Sequence, residues 1–364
     1  MSRMVTLVLA TPDGTVLGAL PAFHVELPYW QEVRPIVEFA RAQHGLDIAV
    51  LRILSTEPGL TRGGRVSYLA EVDAPPEVSF APTTLDILPH PLRADYAEFG
   101  GPGRTLAWAR SHVSFVSAQQ LRTWNLSAIW RLDTDHGPVW LKQVPRFFRH
   151  EPAVLSYLDS GLVRAFDDSG RMLLDHIPGQ DLYGADLATR AAIAREHFAT
   201  QARALGDIDK LIAAGVPDRR DLSRLGTQPW LAARMSAVAS AGMPDTLVHG
   251  DLHPGNVIGD GSRRTIIDWG DSFIGHPGFD ILRLTEDLSP AEAQPLIAAW
   301  ADRWRELVPG CDPLAAVDAL RPIAALRNAF VYADFLANIE PSEHAYHAAD
   351  VPYWLAEATR LASV

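Results

Sequence analysis

Apolar positions change their spacing several times along the chain. The first runs, Val5–Ala10 and Thr15–Leu20, are short and flank Thr11-Pro12-Asp13-Gly14, the pattern of two strands and a turn. Trp30–Gln43 then places Val33, Ile36, Val37 and Ala40 at helical spacing, with Gly45 positioned as a C-cap. Ile48–Leu54 and Arg65–Val72 return to strand-like patterning. Residues 1–95 are therefore expected to form a small α+β domain in the order β-β-α-β-β. Proline and glycine then punctuate the chain at Ala74-Pro75-Pro76, Pro89-His90-Pro91 and Gly100-Gly101-Pro102-Gly103. Residues 96–120 read as a linker with a connecting helix over Thr105–Arg110.

From residue 121 the pattern is that of an antiparallel sheet with one helix. Thr123–Leu132 and Val139–Val144 are strand-like and are joined by the turn sequence Asp133-Thr134-Asp135-His136-Gly137. A helix is expected over Glu151–Leu158, and two strands over Val163–Phe166 and Met172–Leu174. Val113–Val116 is the candidate for a fifth strand. Residues 181–364 are mostly helical, with Ala-rich amphipathic stretches at Leu187–Ala214, Trp230–Ala241, Ala291–Leu307 and Leu314–Leu336. One non-helical island interrupts them, at Thr246–Pro277.

Composition narrows the function. The chain has 364 residues, which at about 150 per domain suggests two or three domains. Its formal charge of −12 excludes a general nucleic-acid binder, whose affinity needs a basic surface. A single cysteine, Cys311, excludes an internal disulfide framework. No apolar run approaches the roughly 18–20 residues of a membrane span, and the first run lacks a signal-peptide pattern. The expected location is the cytoplasm, with no membrane partner. The cations are almost all arginine; only Lys142 and Lys210 are lysines. A lysine kept against that bias invites a chemical role, beside its other reading as a snorkelling strand residue.

The island carries the chemistry. It contains His249-Gly250-Asp251-Leu252-His253-Pro254-Gly255-Asn256, then Thr265-Ile266-Ile267-Asp268-Trp269-Gly270. Asp268 ends a strand expected to pair with Val257–Ile258 through the Gly259-Asp260-Gly261 turn, which brings Asn256 near Asp268. An amide oxygen and a carboxylate suit Mg²⁺. Asp251 is then left to take a proton from an incoming hydroxyl. That is the division of labour of a phosphoryl-transfer site. Asp and Asn also close turns without any chemistry.

These residues carry two resemblances. The N-terminal order, with His44-Gly45-Leu46 at the helix end, resembles a fragment of a Nudix-type domain. The metal positions of that family would fall on Glu38, Phe39, Ala42 and Gln43, which cannot hold metals, so a structural or dimerising role is expected there. The island resembles the aminoglycoside phosphotransferase and choline kinase family, relatives of the protein kinases, and the likeness runs over residues 120–345 in order. It implies an α+β, bilobal protein-kinase-like fold. A five-stranded antiparallel N-lobe would span 121–177, and a helical C-lobe 178–364 would hold the catalytic loop and acceptor site. It implies that Lys142 pairs the nucleotide phosphates, held by Glu151 at the head of the next helix. Asn125-Leu126-Ser127-Ala128 would replace the Gly-rich loop, giving Ser127 a nucleotide contact. Leu174-Asp175-His176-Ile177 would be the hinge, with Asp175 and Ile177 beside the base. Asn256 and Asp268 would bind Mg²⁺, and Asp251 would be the catalytic base. His249 and Asp280 would brace the loop, and Asp271 would face the substrate or cap a turn.

The implied reaction moves the γ-phosphoryl group of ATP or GTP to a hydroxyl of a sugar-like or amine-bearing metabolite or antibiotic. Asp287, Asp334, Asn338, Glu340 and Glu343, with Tyr332, Tyr346 and Trp354, either line an acidic, aromatic acceptor pocket or are solvated helix faces. Partners are a small-molecule acceptor and, through the N-terminal domain, a second copy of the chain. The alternative is a catalytically silent nucleotide-binding scaffold whose function lies in the N-terminal domain.

Overall fold

The computed structural model describes residues 2–75, 80–83, 85, 88–158 and 161–363; Pro76, the last residue of Ala74-Pro75-Pro76, lies outside them. Contacts divide the chain into two units. One comprises Met1–Arg149, Gly161–His176 and Tyr332–Asp350, and the other His150–Ser160, Ile177–Val331 and Val351–Val364.

In the first unit, strands β1 (Arg3–Ala10), β2 (Val16–Ala19), β3 (Phe23–Val25), β4 (Ala49–Thr56) and β5 (Gly64–Glu71) form a mixed sheet. Its order is β2-β1-β5-β4, with β3 also on β1, and β1 runs parallel to β5. Helix α1 (Arg34–His44) has Pro35 in its first turn and Gly45 in the left-handed region (φ 67°) as its C-cap. Its buried face, Ile36, Val37 and Ala40, packs with Val5, Leu7, Trp30 and Tyr68. Tyr346, distant in sequence, completes this core, its ring 5.6 Å edge-on from Trp30. Buried Arg3 donates from its two terminal nitrogens to the Tyr68 hydroxyl (2.9 Å) and to the carbonyls of Tyr29 and Glu32.

The linker region holds helix α2 (Gly101–Arg110), which starts four residues before the expected Thr105. A second sheet in this unit is built from β6 (Ser117–Trp124), β7 (Ser127–Thr134), β8 (Gly137–Gln143), β9 (Val163–Phe166) and β10 (Arg171–Asp175), in the order β6-β7-β8-β10-β9. All of its pairings are antiparallel. The expected single strand over Thr123–Leu132 is in fact two strands. The chain reverses at Asn125-Leu126, with Trp124 paired to Ser127. Asn125 is buried there, and His347 Nε2 lies 2.8 Å from its Oδ1. Burial holds the His347 pKa down to about 4, so its ring is neutral and donates. The fifth strand is consequently Ser117–Trp124 rather than Val113–Val116. Gln120 on β6 covers the edge of β4, accepting from Val50 N (2.7 Å) and donating to Val50 O (2.8 Å).

Residues 340–346 also pack into this unit. Glu340 forms ion pairs with Arg93 (3.0 Å) and buried Arg52 (3.7 Å). Glu343 accepts from Ile53 N (3.1 Å), and burial pushes its carboxyl up to about 7.

The second unit contains α3 (Glu151–Tyr157), β11 (Gln180–Asp181), α4 (Leu187–Ala204), α5 (Ile208–Ala213) and α6 (Leu231–Ser240). It continues with β12 (Thr246–Val248), β13 (Val257–Gly259), β14 (Arg264–Ile266), β15 (Phe273–Gly275), α7 (Gly278–Leu284) and α8 (Pro290–Leu307). Helix α9 (Pro313–Asn338) begins in this unit, and α10 (Asp350–Ala362) comes after it. The helix expected over Leu187–Ala214 is broken at Leu205-Gly206-Asp207, where glycine is a poor helix former. Its core joins Ile193 of α4, Leu252, Val257, Ile281 and the α8 residues Ile297, Trp300 and Trp304. No helix among the described residues is long and apolar enough to cross a membrane.

Candidate active site

The island folds around one buried carboxylate. Asp280, in the first turn of α7, is almost fully enclosed. Its Oδ2 accepts from His249 N (2.8 Å) and Gln201 Nε2 (3.0 Å) and lies 2.6 Å from His197 Nε2; its Oδ1 accepts from Gly250 N (3.0 Å). Burial alone would raise its pKa, but the His197 and His249 contacts reverse the sign and hold it below the usual range. Two successive backbone amides of the loop are thereby fixed. Gly250 lies at φ 86°, and a Cβ there would meet Asp271 O at 2.2 Å, so the loop passes that backbone as only glycine can.

His249 fastens the other side. Its Nε2 lies 2.9 Å from Ile267 O and its Nδ1 accepts from Asp251 N (3.2 Å). Burial lowers its pKa. The ring is thus a neutral Nε2–H donor bridging the loop to the segment before Asp268.

The expected hairpin is present. Strand β13 pairs antiparallel with β14, Val257 opposite Ile266, and Ile267 N donates to Asn256 O (2.9 Å). Asp268 comes directly after, at φ 62°, the one non-glycine with positive φ among the described residues. Aspartate tolerates that region better than most residues, and such strain is concentrated at functional positions. Asn256 Nδ2 donates to the Asp251 carbonyl (3.0 Å) and to Asp251 Oδ2 (3.2 Å). With the amide nitrogen so used, Oδ1 is the Asn256 atom left to meet a cation. The donor set of Asn256 Oδ1 and the Asp268 carboxylate fits Mg²⁺.

The Asp251 carboxylate is held from both sides. Arg283 Nε donates to its Oδ1 at 2.7 Å, while Oδ2 meets Asn256 and, at 3.6 Å, His253 Nε2. Sequence reasoning missed Arg283. A signal was present: it is one turn past Asp280 on α7 and is the only cation between Gly278 and Leu284. His197 and Gln201 were also missed. They sit at i and i+4 on α4, on the face that buries Ile193 and Ala204.

The remaining expected residues are spread over both units. Ser127 is buried on β7 and its Oγ accepts from Trp124 Nε1 (3.2 Å). Lys142 is also buried, on β8 between Ile129 and Met172. Asp175 ends β10 and pairs with Arg164. These three belong to the first unit. Glu151, buried at the head of α3, and half-buried Ile177 belong to the second, with Asp251, Asn256 and Asp268. Of the acidic and aromatic group offered for an acceptor pocket, Asn338, Glu340 and Glu343 line a cavity of the first unit. Tyr332, Asp334, Asn338, Glu340, Glu343 and Tyr346 fall in the first unit, and Asp287 is engaged by Arg190 (2.7 Å). Only Trp354 lines the cavity that adjoins Gly250.

Comparison with known proteins bears on this arrangement. A family model described as the phosphotransferase enzyme family matches residues 128–323, more than half of the chain. The chain belongs to that family. The family's match begins on β7 and ends within α9, so the mixed N-terminal sheet lies outside it. No curated protein sequence matches. Among solved structures, choline kinase LicA from Streptococcus pneumoniae is 15% identical with a TM-score of 0.50, covering 71% of this chain and 99% of that one. A choline/ethanolamine kinase family protein from Mesorhizobium loti is 19% identical (TM-score 0.48; 71% and 95% covered). A macrolide 2'-phosphotransferase from Brachybacterium faecium is 20% identical (TM-score 0.47; 68% and 97% covered). At these identities the likeness is one of fold. The fold is protein-kinase-like, and the β6-β7-β8-β10-β9 sheet is its five-stranded antiparallel component.

Proposed function

We propose that this phosphotransferase moves the γ-phosphoryl group of ATP or GTP, with Mg²⁺, to a hydroxyl of a small molecule. The observation that carries the reading is the Asp251–Asn256 hydrogen bond on a loop fixed by Asp280, with Asp268 delivered beside it by the β13–β14 register. Asn256 Oδ1 and Asp268 would hold the cation, which when bound neutralises charge between the phosphates. Lys142 would pair the nucleotide phosphates with Glu151 as its partner, and Ser127, Asp175 and Ile177 would lie along the nucleotide.

Asp251 orients the acceptor hydroxyl and accepts its proton as the oxygen bonds to the γ-phosphorus and the bond from that phosphorus to the bridging oxygen breaks, releasing the nucleoside diphosphate. Arg283 holds the carboxylate through Oδ1. Catalysis of this kind is positioning and electrostatics, which is why a loop with so many fixed amides suits it. The sugar-like or amine-bearing acceptor expected from sequence belongs to this proposal, as do a cytoplasmic location and pairing of two copies through the N-terminal sheet.

The test is intact-mass detection of products. Protein, Mg²⁺ and ATP or GTP are incubated with pooled alcohols, amino alcohols and sugars, with Asp251→Asn as control. A phosphate-sized gain on one acceptor is expected, reduced about 10²–10⁴-fold in the variant. Near-full turnover by Asp251→Asn would remove that residue from its role. Absence of both product and nucleotide-dependent thermal stabilisation would overturn the reading.

A further inference from the structure

A cavity of about 660 Å³ in the second unit opens at Gly250, the residue before Asp251, and at Arg283, which holds Asp251. Gly250 and Arg283 are the two lining residues that adjoin Asp251, one through the chain and one through its side chain. The cavity's apolar wall includes Leu288, Ile297, Leu314, Val317, Trp354 and Leu361, contributed mainly by α8, α9 and α10. Such a size and lining fit a small organic molecule.

The charges around it do not suit a cation. Four arginines (Arg283, Arg321, Arg327, Arg360) face three carboxylates (Glu286, Asp318, Glu357). Two of those carboxylates are taken. Glu357 is bound by Arg360 Nε at 2.7 Å, and Glu286 is bound by Arg283. The third, Asp318, is exposed and one helical turn from Arg321. Arg327 lies 4.2 Å over the Phe273 ring, so its charge stays beside the cavity. An ammonium group entering here would meet four arginines, and the one carboxylate not held by an arginine side chain, Asp318, lies at the exposed rim.

We propose that the acceptor is an uncharged or anionic alcohol with a substantial apolar body. Its hydroxyl meets Asp251, its body lies against Ile297, Val317 and Trp354, and Gln294 and Asn328 offer amides to further polar groups. This rests on the phosphotransfer reading of Asp251 and narrows its acceptor class away from amines.

Binding and turnover separate the two ideas. Calorimetry measures Kd for octyl glucoside (below its micelle concentration) and 12-hydroxydodecanoate, against glucosamine, choline and kanamycin. Mass detection measures their phosphorylation. At least one apolar alcohol is expected to bind tenfold or more tightly than every amine. Leu314→Asp, at an exposed wall position, should weaken that binding at least tenfold with its circular dichroism unchanged. Tight binding without phosphorylation under any nucleotide would leave the cavity assignment standing and sink the phosphotransfer reading. Preferential binding of an amine, no binding by either set, or indifference to Leu314→Asp would overturn the acceptor proposal, whether or not phosphate is transferred.

Discussion

Asp280→Asn is the substitution whose consequence the geometry specifies most fully. The carboxylate receives four donors: His197 Nε2, Gln201 Nε2 and His249 N on one oxygen, and Gly250 N on the other. In its better orientation an Asn keeps the three donors on one oxygen and turns its NH₂ on the Gly250 N–H. Three charge-assisted bonds become neutral ones, at about 1 kcal/mol each, and one buried donor is left unsatisfied, at about 1–3 kcal/mol. The sum, about 4–6 kcal/mol, approaches the whole stability of an ordinary domain. At about 2–4 °C per kcal/mol, the melting temperature should fall by about 8–24 °C. The carboxylate's depressed pKa adds a pH signature. Its contribution is complete above the ordinary value of 3.8 and is lost as pH falls through the depressed one, and the variant should lack that acid limb. Thermal melts by circular dichroism from pH 3 to 7, with turnover measured below the melting transition, test both parts. A variant that melts within about 2 °C of the wild type would show that Asp280 does not hold the loop.

Single contacts set the other expected outcomes. Glu343 has a folded pKa of about 7 against an ordinary 4.5, so the folded protein binds that proton more tightly; stability should fall as pH rises from 4.5 to about 7. Glu343→Gln should remove that slope and be more stable at pH 8, by at most about 3 kcal/mol; denaturant titrations at pH 5 and 8 with equal differences would refute it. Gly250→Ala places a Cβ 2.2 Å from Asp271 O at a positive φ, and should abolish turnover by displacing Asp251, read as kcat in a soluble, folded sample. Lys142→Met, inside the sheet on β8, should raise the nucleotide KM at least tenfold with little change in melting temperature; an unchanged KM argues that Lys142 is only a packed strand residue.

The features legible in the sequence were local ones. The β13–β14 hairpin is specified by Val257–Ile258, a Gly-Asp-Gly turn and Thr265–Ile267, all within a dozen residues, and Gly45 marks the end of α1 by chemistry that needs no tertiary context. The reversal at Asn125-Leu126 was hidden because it contains neither glycine nor proline. What stabilises it is His347, 222 residues away. Glu340 and Glu343 read either as pocket-lining acids or as solvated helix faces; they are buried and line a cavity of the first unit. Their real partners are Arg52, Arg93 and Ile53, at separations no periodicity reports. Arg283 was overlooked for a related reason, since its partner Asp251 is 32 residues earlier, with the β13–β14 hairpin and β15 between them.

Tyr346 sits in the core formed by Val5, Trp30 and Tyr68, and so makes the order of synthesis matter. The five N-terminal strands are all made by residue 71, yet the aromatic residue that closes their core is residue 346. At about 5–20 residues per second, that gap keeps an apolar face open on the ribosome for about 15–55 s. During that interval the nascent sheet is a target for chaperones and for like sheets on neighbouring chains. A ribosome stalled after α8 would therefore display a sheet that binds holdases, and one released beyond Tyr346 would not.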